Sequence, residues 1–525
     1  MHSSTLALRA LLSVFCLIPL AAESLSGQCA ANPPLADPAS GPAWNGWGAD
    51  ISNSRFQPAT GAQLTAPDVP HFKLKWAFGL VGAKQVFGEP VVAGGRVFFS
   101  ADTGMVYSLD AATGCVYWNY QAEAGVRTAV SISAAKPSPI AYFGDLKANV
   151  YALDAQKGTL IWKAHVDEHP AAHITGAPQV FEDRIYVPVA SGEEGTSSNP
   201  KYPCCSFRGS VVALDRANGR EIWKTYTIAE IPKIVSKNAN GVNRWAPAGG
   251  GIWSAPTIDP KRHALYVGTG DAYTSPAPKN TDSILALDLD SGKILWSAQA
   301  TQNDAWVVGC MSKTPLENCP KDFGPDQDFG SPPILRELPG GRTLLIAGQK
   351  SGNVWAYDPD QHGAVVWRTA LVNNTKEFGG KIIWGGAADH DTAYFGLGTG
   401  GIAAVELRNG ERKWFTPFTP AEERAKHPGQ DGPLTAISGI VFSGGWDGVV
   451  RALSATDGKV VWQFDTAHEF QTVNGVPAKG GSIGSAGPVV ADGMLFVPSG
   501  CVGVRSGMPG NVVLAFTAGS GKEAH

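Results

Sequence analysis

The sequence predicts an all-β fold, an eight-bladed β-propeller closed by pairing its N- and C-terminal strands. Three observations predict it: a repeat of constant design, a turn-rich and aromatic-rich composition, and one repeat divided between the two ends. The 525 residues include 63 Gly and 16 Trp, with only 17% charged, as expected of short strands joined by tight turns and anchored by aromatic rings. Length alone would suggest about three domains. The repetition overrides that count, and residues 23–525 read as a single propeller with four-stranded antiparallel blades.

The repeat is a short alternating strand, an Asp or other turn residue, a Gly, and a second strand ending in Trp. It occurs as MVYSLDAATGCVYW (105–118), NVYALDAQKGTLIW (149–162), SVVALDRANGREIW (210–223), SILALDLDSGKILW (283–296), NVWAYDPDQHGAVVW (353–367), GIAAVELRNGERKW (401–414) and GVVRALSATDGKVVW (448–462). Each copy is a hairpin whose Asp and Gly supply the turn, and its Trp is assigned to packing between blades. The eighth copy is split. GNVVLAF (510–516) begins a hairpin that KLKWAF (73–78), with Trp76, completes. Pairing these ends closes the ring and removes the exposed edges of an open array. Successive Trp residues are about 40 to 50 apart in most blades, near the usual propeller period. Between Trp162 and Trp367 the spacing grows to about 60 to 75, so the surplus must be loops, where binding sites tend to lie.

The chain opens with one cation, Arg9, an apolar run from Leu11 to Leu20, and the small residues Ala21 and Ala22. This is the pattern of a secretory signal over residues 1–22, too short to span a bilayer, and it predicts a periplasmic or secreted protein. No later run is long enough to cross a membrane. A net charge of −4 and a pI near 6.3 give no electrostatic case for a nucleic-acid partner. Of eight cysteines, Cys16 falls in the leader, and the remaining seven leave at least one thiol unpaired. Cys310 and Cys319 can close the loop between them in an oxidising compartment. The neighbours Cys204 and Cys205 either join in an eight-membered ring, a kind of linkage found at functional sites, or bond elsewhere. No Cys-x-x-Cys-His occurs, so this chain attaches no c-type haem.

The turn-and-Trp repeat, over nearly the whole chain, resembles the pyrroloquinoline quinone (PQQ) dehydrogenase family. GMPGNVVLAF (507–516) and PCCSFRGS (203–210) are most similar to its polyvinyl-alcohol dehydrogenase branch, members of which often carry an added cytochrome c domain. The resemblance assigns roles. GGGIW (249–253) makes Trp253 the surface on which the quinone stacks, and HITGAP (173–178) makes Thr175 a hydroxyl contact to it. SGEE (191–194) makes Glu194, or its neighbour Glu193, a Ca²⁺ ligand. VGTGDA (267–272) places Asp271 where the family has an Asn ligand, and Asp remains a hard oxygen donor. DQDFGSPPIL (326–335) makes Asp328 the catalytic base and a third metal ligand, with Asp326 and Asp304 as competitors for the base. Gly330 stands where lanthanide-using members carry a carboxylate, which points to calcium. AGQKSGNVWAYD (347–358) makes Lys350 the cation at the quinone oxygens. Arg127 corresponds to the Arg that pairs with a PQQ carboxylate. Gln121 and Ala122 replace the vicinal cysteines of related alcohol dehydrogenases, and Cys204 and Cys205 are expected to fold over the quinone in their stead.

The resemblance therefore implies a PQQ- and calcium-dependent oxidation of alcohols, secondary alcohols or polyvinyl alcohol, to carbonyls. The metal would polarise the quinone carbonyl and Asp328 would take the hydroxyl proton. Electrons would pass to a separate soluble cytochrome c. The rival reading is a non-catalytic propeller acting as an exported scaffold or assembly factor, since the repeat is architecture alone. The acids and Trp on the long loops favour the enzyme.

Overall fold

The computed structural model describes residues 27–519 apart from 135–137, 373–380, 421, 425–427 and 504–506; the leader lies outside the described residues. Eight four-stranded antiparallel blades follow one another around a ring. The first comprises Val91–Ala93, Arg96–Ser100, Met105–Asp110 and Val116–Gln121. Each of the seven contiguous repeats forms the outer hairpin of its blade. The eighth blade is built from Val489–Ala491, Met494–Ser499, Val512–Ala518 and Phe72–Gly79. In it Trp76 sits opposite Ala515 in an antiparallel ladder, so the two ends close the ring as expected.

The repeat's chemistry explains how blades stack. Trp76, Trp118, Trp162, Trp223, Trp367 and Trp414 each donate their indole N–H to a backbone carbonyl of the following blade, at 2.8–3.2 Å. The Gly of the next repeat lies flat against that indole: a Cβ on Gly158 would come within 2.6 Å of Trp118, and φ there is +71°. Gly is therefore required twice over, by the left-handed turn and by the ring it must clear. Truncating such a Trp to Ala is expected to cost about 3–5 kcal/mol.

The centre of the ring is filled by residues 44–57. Trp44 pairs with Val92 in the first blade, and Asn45 donates to Ile132 O in the second. Gln179 of the third donates to Asn53 Oδ1. The amides of Ile258, Leu335, Ala388 and Ala436, one from each of the next four blades, donate to the carbonyls of Ile51, Ser52, Ser54 and Arg55. Gln57 donates to Val490 O in the eighth. One segment thus bonds to the innermost strand of every blade. Its anchor is Arg55, fully buried, which pairs with Glu89 at 2.8 Å and lies over Trp44 and Trp47.

Three disulfides form: Cys310–Cys319, as anticipated, Cys204–Cys205, one of the two alternatives the sequence left open, and Cys29–Cys115. Cys501 is unpaired and buried. Among the described residues no helix is long and apolar enough to cross a membrane.

Candidate active site

The surplus residues of the third to fifth blades form loops that cross one face of the ring side by side. Backbone bonds knit them together: Gly249 N to Phe207 O, Gly250 N to Asp271 O, Ala272 N to Asp304 O and Trp306 N to Ala272 O, at 2.7–3.2 Å. This lattice of main chain brings Asp271, Asp326 and Asp328 together, with one carboxylate oxygen from each lying within 4.8 Å of the others. All three are buried.

Two lysines offset this charge. Lys350 Nζ donates to Asp326 Oδ1 at 2.6 Å and to Asp328 Oδ2 at 2.8 Å, and Lys381 Nζ donates to Asp326 Oδ2 at 2.7 Å. Burial presses the Lys350 ammonium down, but Asp326 and Asp328 outweigh it and hold it well above its ordinary value. Asp328 Oδ1 accepts the amide of Asp271 at 2.8 Å. The Asp271 side chain has no such support: its Oδ2 is buried without a hydrogen-bond partner, and burial, with Asp328 nearby, drives it far above the usual carboxylate range. Asp304, one competitor for the base, accepts the backbone amides of Asp326 and Gln327 and so braces the loop.

The two neighbouring glutamates on the short helix Glu193–Thr196 separate cleanly. Glu193 is spent on its own loop, accepting from Ser206 N, Phe207 N and the Tyr202 hydroxyl. Glu194 faces the acidic cluster. Burial raises it to about 8, with Lys350 drawing it back and Asp326 and Asp328 pushing it further.

Beside the acids lies a cavity lined by Trp253, Thr175, Arg127, Trp384, Glu89 and Gly330 among others. Lys350 Nζ joins the two regions, 5.3 Å from the centre of the Trp253 ring. Trp253 meets Trp384 edge to face at 5.5 Å, and the Arg127 guanidinium lies 4.5 Å from the centre of the Trp384 ring. Burial lowers Arg127 to about 10, which leaves it cationic at neutral pH. Thr175 Oγ1 donates to Trp253 O at 3.2 Å. The structure thus brings together Asp328, Lys350, Asp271, Glu194, Trp253, Thr175 and Arg127. It does not bring Cys204 and Cys205 to this cavity. Bonded to each other, they are held by Trp245, whose amide donates to Cys204 O, and pack among Tyr273, Cys310 and Cys319.

Trp384, Lys381, Trp47 and Glu89 were not anticipated. Trp47 and Trp384 stand outside the repeat register, the criterion that singled out Trp253, and would have been found by applying it throughout. Lys381 and Glu89 carry no sequence signal.

An eight-bladed propeller with a buried acid–lysine cluster beside an aromatic, cation-bearing cavity has the architecture of a quinoprotein dehydrogenase. The chain belongs to the PQQ-dependent alcohol dehydrogenase family and is an oxidoreductase of that type: residues 44–327 match the family described as glucose/ethanol/alcohol dehydrogenase, β-propeller domain. Residues 398–525 match the repeat family described as outer membrane protein assembly factor BamB. Among curated relatives, a polyvinylalcohol dehydrogenase of Pseudomonas sp. is 41% identical over 95% of this chain and 81% of its own length. One of Sphingopyxis sp. is 37% identical over 93% and 78%. The quinohemoprotein alcohol dehydrogenase from Comamonas testosteroni has a similar fold, with a TM-score of 0.68 at 18% identity, covering 93% of this chain and 82% of that one.

Proposed function

We propose that this protein oxidises secondary alcohols, polyvinyl alcohol among them, using PQQ and one calcium ion. The observation that carries the reading is Lys350 bridging Asp326 and Asp328 beside the Trp253 face. The residues present fit both groups. Asp271 Oδ2 is a hard oxygen left without a protein partner, and buried polar atoms are rarely left so. Glu194 and Asp328 would complete its ligand set. On the cavity side Gly330 keeps the Trp253 edge clear, since a Cβ there would come within 2.1 Å of Cη2. Trp253 would carry the flat quinone, Arg127 would pair with a carboxylate, and Thr175 would add a hydroxyl.

When bound, PQQ supplies the two-electron acceptor and calcium the Lewis-acid polarisation for alcohol oxidation. The chain's own residues manage the proton and the geometry. Asp328 takes the proton of the substrate hydroxyl. Lys350, with the Asp271 amide, fixes both oxygens of Asp328. Lys381 holds Asp326, so that Lys350 is oriented and not merely attracted.

Three disulfides among the described residues support an oxidising compartment, and export through the leader at residues 1–22 belongs to this reading. The chain has no Cys-x-x-Cys-His, so a separate cytochrome c is the proposed electron acceptor. The scaffold reading shares the fold but gives no reason for this cluster of acids and lysines. The test is a titration of metal-depleted protein with PQQ and Ca²⁺, followed by a secondary alcohol and an artificial electron acceptor. Calcium-dependent quinone binding and dye reduction support the enzyme. Indifference to PQQ under all conditions would leave the scaffold.

A further inference from the structure

The long connection between the third and fourth blades sends out a two-stranded ribbon, Lys233–Lys237 paired with Asn243–Ala246. Its second strand is fastened to the body: the Trp245 amide donates to Cys204 O, and Trp245 O accepts the Cys205 amide. Its turn is fastened too. Asn238 Nδ2 donates to Pro200 O at 2.8 Å, and Glu317 Oε2 accepts the Ala239 amide at 3.2 Å. These ties hold in place a ribbon that alone would be only marginally stable.

The first strand is left bare. All five of its residues are exposed, so both of its faces meet solvent. It carries Ile234 at 53% exposure and Val235 at 62%, with Ile231 at 70% just before it. Across a cavity lined by Val235 and Arg244 on one side and Pro320 and Asp322 on the other lies the loop closed by Cys310–Cys319. That loop and its continuation add the exposed Met311 and Phe323. Elsewhere among the described residues, large exposed apolar side chains lie mostly on the outermost strands of separate blades, as Ile222, Leu295 and Val460 do. Such scatter is ordinary, and concentration on two facing segments marks an interaction surface.

The surface is also cationic. Lys233 and Lys237 end the bare strand, and Lys313 and Lys321 stand on the facing loop. Of the acids nearby, Glu317 lies 3.9 Å from Arg244 and offsets it, which leaves Glu230 and Asp322 against four lysines. A chain of net charge −4 thus presents a locally positive, apolar ribbon.

The backbone narrows what can cover it. A further strand could pair with the bare edge, but Val235 is an extra residue that breaks the register between Ile234 and Ser236, Pro232 precedes the strand, and a lysine closes each end. Bulges, prolines and lysines are the devices that keep an edge from pairing with another chain. A bilayer surface needs no backbone pairing, receives apolar side chains from both faces of a ribbon, and meets lysines with anionic headgroups.

We propose that the ribbon and the loop facing it dock the protein on an anionic lipid bilayer, with Ile231, Ile234 and Val235 seated among the acyl chains and Lys233 and Lys237 at the phosphates. The inference stands independently of the alcohol chemistry.

Co-sedimentation with lipid vesicles tests it, on protein lacking residues 1–22 so that the apolar leader contributes nothing. Wild type should sediment with vesicles of mixed phosphatidylglycerol and phosphatidylcholine and not with phosphatidylcholine alone. Lys233→Gln combined with Lys237→Gln should weaken binding about 30-fold, since each lysine near a charged bilayer contributes roughly fivefold. Ile234→Asp combined with Val235→Asp should weaken it at least as much. Val365→Asp, at a site 53% exposed on the outermost strand of the fifth blade, should bind as wild type does. All these side chains are exposed, and an unchanged Tm would show that the fold is kept. Failure of the wild type to bind either vesicle, equal binding to both, or ribbon variants that bind like wild type would overturn the proposal. A wild type that is dimeric by light scattering and becomes monomeric with Ile234→Asp and Val235→Asp would give the surface to a second copy and overturn it as well.

Discussion

Lys350 and Asp328 form a buried ion pair at 2.8 Å, and the same ammonium stands 5.3 Å from the centre of the Trp253 ring. One cation therefore spans the boundary between the acids that suit a metal and the aromatic face that suits a quinone. Lys350→Met should break both links. Asp328 would keep only the Asp271 amide, and removal of one partner from a buried pair costs about 3–5 kcal/mol. The expected result is a lower Tm together with loss of dye reduction. A variant as stable and active as wild type would remove Lys350 from the site.

Asp328→Asn keeps the shape of the side chain and removes its basicity. Quinone and calcium binding should persist while kcat falls between about 100-fold and 10,000-fold, the usual scale for loss of a general base. Single-turnover reduction of the bound cofactor would report this directly. Undiminished turnover would pass the role to Asp326.

Gly330→Ala tests the cavity floor. The added Cβ would meet Trp253 Cη2 at 2.1 Å and Ile383 O at 2.8 Å, and overpacking of this kind costs about 1–3 kcal/mol. Quinone affinity should fall at least about tenfold in an absorbance titration. Equal affinity would mean that the Trp253 face is not where the quinone lies.

Calcium should stabilise the protein without cofactor. A ligand present at 100 times its Kd adds about 2.7 kcal/mol, which is visible as a rise in Tm. Asp271→Ala should abolish the rise, because it deletes the unpartnered oxygen. A rise that survives in the variant would place the ion elsewhere.

Cys501 provides a pH test. Burial pushes its thiol above the ordinary value, so the folded protein keeps a proton that the unfolded chain releases near pH 8.5. The native state then binds more protons than the unfolded state, and stability should decline as pH rises above about 8.5. Cys501→Ser should flatten that part of the profile. Thiol reagents should find no reactive cysteine in the native protein, and in denaturant one per chain that lacks the leader.

The architecture was legible because it is local and repeated. The turn Gly and the terminal Trp of each hairpin are enforced by contact with the neighbouring blade, so each copy states the same constraint, and the split copy at Trp76 declares the closure. Much of the site was legible through motifs on the long loops, Trp253 and Asp328 above all. What escaped was relational. Lys381 reaches Asp326 across 55 residues, Glu89 matters because Arg55 is buried beside it, and nothing in a one-dimensional pattern marks either. Cys204 and Cys205 were expected over the quinone because they follow the glutamates in sequence. Glu193 accepts from Ser206 N and Phe207 N just beyond them, and Trp245 of the strand Asn243–Ala246 exchanges backbone hydrogen bonds with Cys204 and Cys205.

Residues 44–57 alter how the ring should come apart. Stacked repeats that touch only their neighbours lose stability piecemeal, one interface at a time. A segment bonded to the innermost strand of all eight blades makes every blade depend on every other, and releasing it from one weakens its hold on the rest. The protein should accordingly melt as one cooperative unit, in a single calorimetric transition whose van't Hoff and calorimetric enthalpies agree. Replacement of Arg55 by Met should split that transition into broader, separate steps.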